Sequence, residues 1–462
     1  MPAKLQDVLA TLDNRNDAAV AELKELLSIP SVSTKPEHAD DCRRAATWLH
    51  DQLKHAGLDV SIMETGTKEK RGHPIVVAKN KHEAGRPTVL VYGHYDVQPP
   101  EPLELWKSPP FEPDVRDGKI YARGASDDKG QTYCHVDAAV AWQANGGLPV
   151  NLTLLIEGEE ENASENLEAF VKSYADQLTA DVAVVSDTGM FAPGKPAITY
   201  GLRGLCYQEV ILTASNTDLH SGMFGGAVPN AANELVKLLA GLHDDAGRVT
   251  VDGFYDGVQN LTDAERDEWK RLPFDEAKFL GDLGLKQGTG EAGYSAIERR
   301  WARPTLDING ITSGYQGAGA KTVIPAKASA KVSMRLVADQ SWTDIRTKFR
   351  DTLQSRCPAN CSLEFLDHGG IDASVLPHDS KANQLAAEAV ERGFGAKPVF
   401  IREGGSIPVG ALFKEALGID TLFVGFGLGD DNLHAPNEKF DLACFHSGRR
   451  TAAVLYERLA EL

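Results

Sequence analysis

Apolar runs of strand length that end directly in carboxylates or histidine restrict what this chain can fold into. TVLVYGHYD runs into His94 and Asp96, LTLLIEGEEE into Glu159, Glu160 and Glu161, and DVAVVSD into Asp187. TLFVGFGLGDDNLHAP leads to His434, and ARGASDDKGQ carries Asp127 and Asp128 in a glycine-bounded loop before a helical stretch. In open α/β sheets, ligands gather outside the carboxyl ends of the strands. One such ending would be an ordinary polar loop. Five of them bring imidazoles and carboxylates to one edge of one sheet.

The rest of the pattern gives that sheet its setting. Val20, Leu23 and Leu27, and then Ala45, Leu49, Leu53 and Ala56, repeat at helical spacing, and Gly57 supplies a stop. Strands are expected at Ile75–Ala78, Thr88–Tyr92, Asn151–Ile156 and Asp181–Val185, with a helix over Gly130–Gln143 between two of them. Strands alternating with helices imply an α/β domain with a mainly parallel central sheet and flanking helices. The middle of the chain reads differently. It has a strand at Gly204–Thr213, a helix over Ala231–Leu242, a polar stretch from Val251 to Arg303 and a strand at Ala328–Leu336. A helix near Trp342–Leu353 and a strand at Ser362–Leu366 follow, which makes an inserted α+β domain. The α/β pattern then returns, closing with a helix from about Gly448. The expected division is 1–203 and 371–462 for a discontinuous main domain and 204–370 for the insert.

Composition removes whole classes of function. With 66 acidic residues against 48 Lys plus Arg, the formal charge is −18, and no basic block offers itself to nucleic acid or anionic lipid. The apolar runs fall far short of the ~20 residues that span a bilayer. The opening MPAKLQDVLATLDNRND has no signal-peptide apolar core. Six cysteines in 462 residues form no disulfide framework, and Cys357 and Cys361 read as reduced loop thiols. A cytoplasmic location is the expectation.

The ligand inventory selects the chemistry. Two imidazoles with several carboxylates suit zinc, with manganese or cobalt as tolerated occupants, and suit calcium poorly. The surplus of carboxylates points to two divalent ions sharing one bridging carboxylate, as in two-metal hydrolases. One carboxylate must stay out of coordination as general base, and Glu159-Glu160-Glu161 offers neighbours for ligand and base. Asp96, two residues after His94, suits a carboxylate that fixes the imidazole.

These segments resemble a family. GHYDVQP, RGASDDKGQ, EGEEENAS, VVSDTG, REGGSIP and LHAPNE look like the motifs, in order, of the dinuclear-zinc metallopeptidases that include carnosinase, cytosolic nonspecific dipeptidase, aminoacylase and carboxypeptidase G. The likeness covers essentially the whole chain and is nearest the carnosinase and nonspecific dipeptidase branch. It implies that Asp127 bridges two ions, one held also by His94 and Asp187, the other by Glu161 and His434. It implies Glu160 as base and a cis peptide bond after Asp127; with Asp96 fixing the His94 imidazole, the expected catalytic residues are Glu160 and Asp96. It further implies that Glu403 holds a substrate ammonium and Arg335 a substrate carboxylate, with Thr322 and Ser406 as polar contacts. His220 would stabilise the oxyanion in the site of a second chain, in a homodimer formed through the inserted domain. An anchor at each end of the substrate implies a dipeptidase acting on unblocked dipeptides. The alternative is a deacylase or desuccinylase of N-acyl amino acids, against which Asp187 and Glu403 argue.

Overall fold

The computed structural model describes residues 4–405 and 407–462, so Ser406 lies outside the described residues. The chain divides into two compact units. The first comprises Met1–Tyr200, Leu376–Ile401 and Leu412–Leu462; the second comprises Gly201–Val375 and Arg402–Ala411. The boundaries differ from the sequence division by a few residues, and 402–411 joins the second unit. Contacts made there account for the shift. Arg402 Nη2 pairs with Glu265 Oε1 at 2.5 Å, and the Gly404 carbonyl accepts from Arg203 Nε at 3.2 Å. Such contacts between residues far apart in sequence leave no periodic trace in it.

The first unit is built on a sheet with strand order Asp59–Met63, Ile75–Lys79, Asn151–Glu157, Thr88–His94, Val182–Val185, Thr421–Phe423, Ala197–Leu202. Asn151–Glu157, Thr88–His94, Val182–Val185 and Thr421–Phe423 are mutually parallel. On either side, Ile75–Lys79 and Ala197–Leu202 run antiparallel to their inner neighbours. The near-continuous apolar sequence of the inner strands follows from burial on both faces; every residue of Asn151–Glu157 is buried. Helices Ala39–His55, Lys129–Ala144, Lys381–Phe394 and Leu442–Leu459 supply the cover and join one core with the sheet. Lys129–Ala144 is buried nearly all round, and its Trp142 Nε1 donates to the Ala453 carbonyl at 3.0 Å. Register brings the strand ends level: His94 lies opposite Glu157, Tyr92 opposite Val185, and Val185 opposite Phe423.

The second unit holds an antiparallel sheet in the order Thr305–Ser313, Lys327–Leu336, Gly204–Thr213, Ser362–Ile371. Ala328, Ala330, Val332, Met334 and Leu336 point into a core shared with helices Ala231–Ala240 and Trp342–Arg356. Arg335, out of phase with them, is on the opposite face. Three features went unseen in the sequence. The polar stretch forms helices Asp263–Lys270, Glu276–Asp282 and Ala296–Ala302, Thr305–Ser313 is a strand, and the last helix starts at Leu442 rather than Gly448. All six cysteines are free. Among the described residues, no helix is long and apolar enough to cross a membrane.

Candidate metal centre

The parallel strands place their ligand-bearing ends side by side, and the first unit alone collects the whole set. His94 is the last residue of its strand, and Asp187 follows Val182–Val185 by two residues. Glu160 and Glu161 open a short 3₁₀ turn, Glu160–Asn162, just beyond Asn151–Glu157. Asp127 precedes helix Lys129–Ala144, and His434 sits in the loop after Thr421–Phe423 with a left-handed φ of 59°. The peptide bond Asp127–Asp128 is cis.

Two clusters emerge, His94/Asp127/Asp187 and Asp127/Glu161/His434, each with ligand atoms within 4.8 Å of one another. Asp127 belongs to both. Its Oδ1 lies 3.2 Å from His94 Nε2 and its Oδ2 2.9 Å from His434 Nε2, one oxygen toward each imidazole. Glu161 Oε2 is 3.3 Å from His434 Nε2, and Asp187 Oδ2 is 3.9 Å from His94 Nε2. Glu160 Oε2 lies 4.0 Å from His94 Nε2, and its side chain is 23% exposed.

Asp96 organises this edge. The His94 Nδ1–H donates to the Asp96 carbonyl at 3.1 Å, which leaves Nε2 as the ligand atom. The fully buried Asp96 carboxylate accepts the backbone N–H groups of Glu160 at 3.2 Å and Glu161 at 3.0 Å, so one residue orients imidazole and glutamates together. Glu159 has different partners: Oε1 accepts from His73 N at 2.8 Å, and Oε2 accepts from Asn166 Nδ2 at 2.8 Å. Gln98 Nε2 donates to Glu161 Oε2 at 2.8 Å.

The charge balance of the cluster favours cations. Burial opposes ionisation of Asp127, but hydrogen bonds from His434 and His94 outweigh it and hold its carboxyl well below the usual range. Hydrogen bonds to Asp127 and Glu161 raise His434 to about 10. Burial pushes Glu160 up to about 7, with His94 opposing and Glu161, Asp96 and Asp127 adding to the rise. Asp187 is driven up by burial and by Asp127 and Asp128. Such crowding of carboxylates is relieved by protonation or by positive charge placed among them. His94 Nε2 is buried and makes no well-aligned hydrogen bond beyond its 3.2 Å approach to Asp127 Oδ1, as a metal-ligand nitrogen would. The donor set therefore fits divalent ions of the zinc, manganese and cobalt type.

The residues expected to touch substrate belong to the second unit. His220 pairs with Val323 in a two-stranded ribbon, and Ser221 N donates to the Thr322 carbonyl at 3.1 Å, which brings His220 and Thr322 together. Both are exposed. Burial lowers the Arg335 guanidinium somewhat, with Asp307 opposing. Glu403 ends strand Val399–Glu403 and is half-buried. Sequence reasoning passed over Gln98 and Glu438, although each lies inside a motif that carries a ligand or its support (GHYDVQP and LHAPNE).

Comparison with known proteins gives the family. Residues 90–458 match Peptidase family M20/M25/M40. A Cys-Gly metallodipeptidase of Candida albicans is 33% identical over 97% of this chain and 96% of that protein. The human Beta-Ala-His dipeptidase is 30% identical over 100% of this chain and 94% of its own length. The solved structure of an M20 family metallo-carboxypeptidase from Sulfolobus solfataricus superposes with a TM-score of 0.83 at 32% identity, covering 96% of this chain and 99% of that one.

Proposed function

The chain belongs to peptidase family M20/M25/M40, and from that premise we propose that it is a metal-dependent dipeptidase acting on unblocked dipeptides. The observation that carries this is the pair of ligand clusters sharing Asp127, with Glu160 beside them. His94, Asp127 and Asp187 would hold one ion and Asp127, Glu161 and His434 the other, zinc first with manganese or cobalt as alternatives. When bound, such a pair polarises a carbonyl and acidifies water. Glu160 takes the proton from the attacking water and returns it to the leaving amine. Its upward-shifted carboxyl and its partial exposure suit a group that must gain and lose a proton within reach of solvent. Asp96 keeps the Glu160 and Glu161 backbone in place through both transfers.

Substrate ends are assigned by likeness to the family: Glu403 to the ammonium, Arg335 to the carboxylate, Thr322 and Ser406 as polar neighbours, His220 to the oxyanion. His220 would act in a partner's site within a homodimer formed by the second unit. Exposed Ile308 and Ile311 on the edge strand Thr305–Ser313, and exposed Val236 on helix Ala231–Ala240, support that assembly. The acidic surface and free thiols agree with a cytoplasmic setting. Deacylation or desuccinylation of N-acyl amino acids is the second reading, against which Asp187 and Glu403 argue. A panel of free dipeptides, tripeptides and N-acetyl amino acids, assayed with zinc- and manganese-loaded enzyme, decides between them. Faster turnover of N-acetyl amino acids than of free dipeptides would exclude the first reading.

A further inference from the structure

Behind the metal cluster lies a buried carboxylate that the proposed mechanism does not use. Glu438 has no exposed surface, and donors occupy both of its oxygens. Oε1 accepts from Ser126 N at 3.0 Å and Asp127 N at 3.1 Å. Oε2 accepts from Gly124 N at 2.9 Å and Arg123 Nη1 at 2.6 Å. The Glu438 carbonyl accepts from Ala122 N at 3.2 Å, which pins its backbone to the same loop. Glu438 is four residues beyond His434. It is thus the junction between the loop that presents Asp127 and the loop that presents His434.

Two other buried groups complete the junction, Asp431 from the His434 loop and Gln131 from helix Lys129–Ala144. Asp431 Oδ2 accepts from Ser126 Oγ at 2.8 Å and from Leu428 N at 2.7 Å. Gln131 Nε2 donates to the Ser126 carbonyl at 3.0 Å, while its Oε1 accepts from Phe426 N at 2.6 Å. Among these, only Glu438 touches the backbone of Asp127 itself. We propose that Glu438 is the positioning residue that aims the shared carboxylate of Asp127 and registers it against His434, so that its loss loosens both metal sites together. This rests on the two-metal reading above.

The chemistry leaves little tolerance at this position. Four N–H donors converge on one side chain, so each oxygen must accept twice. A glutamine would turn an NH₂ group toward two donors. An aspartate keeps the charge beside Arg123 but falls one methylene short of Ser126 and Asp127, because the backbone is held at Ala122. Partners that orient metal ligands typically contribute ~10–100-fold to metal affinity.

The test is zinc titration of metal-depleted full-length wild type, Glu438→Gln and Glu438→Asp, by calorimetry and by competition with a chromophoric chelator. Near-ultraviolet circular dichroism checks that each variant is folded. Both ions should bind about 10–100-fold more weakly in the variants, and activity lost at limiting zinc should return in excess zinc. Glu438→Asp, which retains the buried ion pair, serves if Glu438→Gln does not fold. A folded variant that binds both ions as wild type does, or that weakens one ion alone, would overturn the inference. Wild type that takes up fewer than two ions would instead overturn the two-metal reading, and this inference with it.

Discussion

Glu159, Glu160 and Glu161 are adjacent and chemically alike, yet their surroundings give them three different tasks. Glu160→Gln keeps the shape but cannot accept a proton, so kcat should fall by the ~10²–10⁴ typical of general-base loss while two metals per chain remain. Glu161→Gln should lose one metal by elemental content. Glu159→Gln should keep both metals and lose only stability, since its carboxylate holds His73 N and Asn166. Phenotypes exchanged between Glu160 and Glu161 would reverse the assignment. The imidazoles add a pH signature. Hydrogen bonds to Asp127 and Glu161 raise His434 to about 10 in the metal-free protein, so near neutral pH it is protonated and metal entry must displace that proton. Zinc affinity should therefore rise with pH toward 10, with proton release visible as a dependence of binding enthalpy on the buffer's ionisation enthalpy. Affinity that is flat between about pH 8 and 10 would show that Asp127 and Glu161 do not hold His434 protonated in the metal-free protein.

Among the elements, strand Thr88–His94 and helix Lys129–Ala144 meet most closely where the site needs them. A Cβ on Gly93 would lie 1.9 Å from Thr132 Oγ1 and 3.0 Å from Asp128 Oδ2. Thr132 Oγ1 donates to Asp128 Oδ2 at 2.6 Å, and that same oxygen accepts from His94 N at 3.2 Å. Gly93→Ala should cost ~1–3 kcal/mol in denaturant unfolding, the usual cost of overpacking, and should weaken the zinc site that uses His94. An unchanged unfolding midpoint would mean that strand and helix separate more freely than this contact implies. The helices missed in the polar stretch had their signals in plain view. Thr262 with Glu265 and Ser295 with Glu298 form capping boxes. Thr262→Ala should lower stability by ~1 kcal/mol. Apolar periodicity overlooked these helices because each is short: Asp263–Lys270 buries Trp269 alone, Glu276–Asp282 buries none of its residues, and Ala296–Ala302, although largely buried, is only seven residues long.

For the molecule as a whole, the proposed ions would tie segments far apart in the chain into one site. Exhaustive chelation should abolish activity and lower the melting temperature, because bound ions stabilise only the folded state. Readdition of zinc, manganese or cobalt should restore both; full activity in verified metal-free protein would remove the two-metal mechanism. The proposed homodimer has its own test. Glu160→Gln and His220→Ala chains, co-expressed with different tags, should form mixed dimers in which one site has an intact Glu160 and an intact partner His220. Such dimers should recover up to half the wild-type activity per dimer. Mixed dimers no more active than either parent would show that His220 does not act across chains.

The sequence by itself determined the parallel strands, the ligand types at their ends and the chemistry those ligands support. Strand runs and ligand residues are local, and a strand buried on both faces must be apolar along its length until it meets the site. Tertiary structure alone decided which neighbour does what. Asp96 gathers the Glu160 and Glu161 N–H groups, Glu159 turns to His73 and Asn166, and Glu438 reaches back to Asp127 across 311 positions of sequence. Those contacts depend on side-chain direction and on loops packed from distant segments, which no periodicity records. The same holds for 402–411: its strand and helix patterns resemble those of the first unit, but its hydrogen bonds and ion pairs join it to the second.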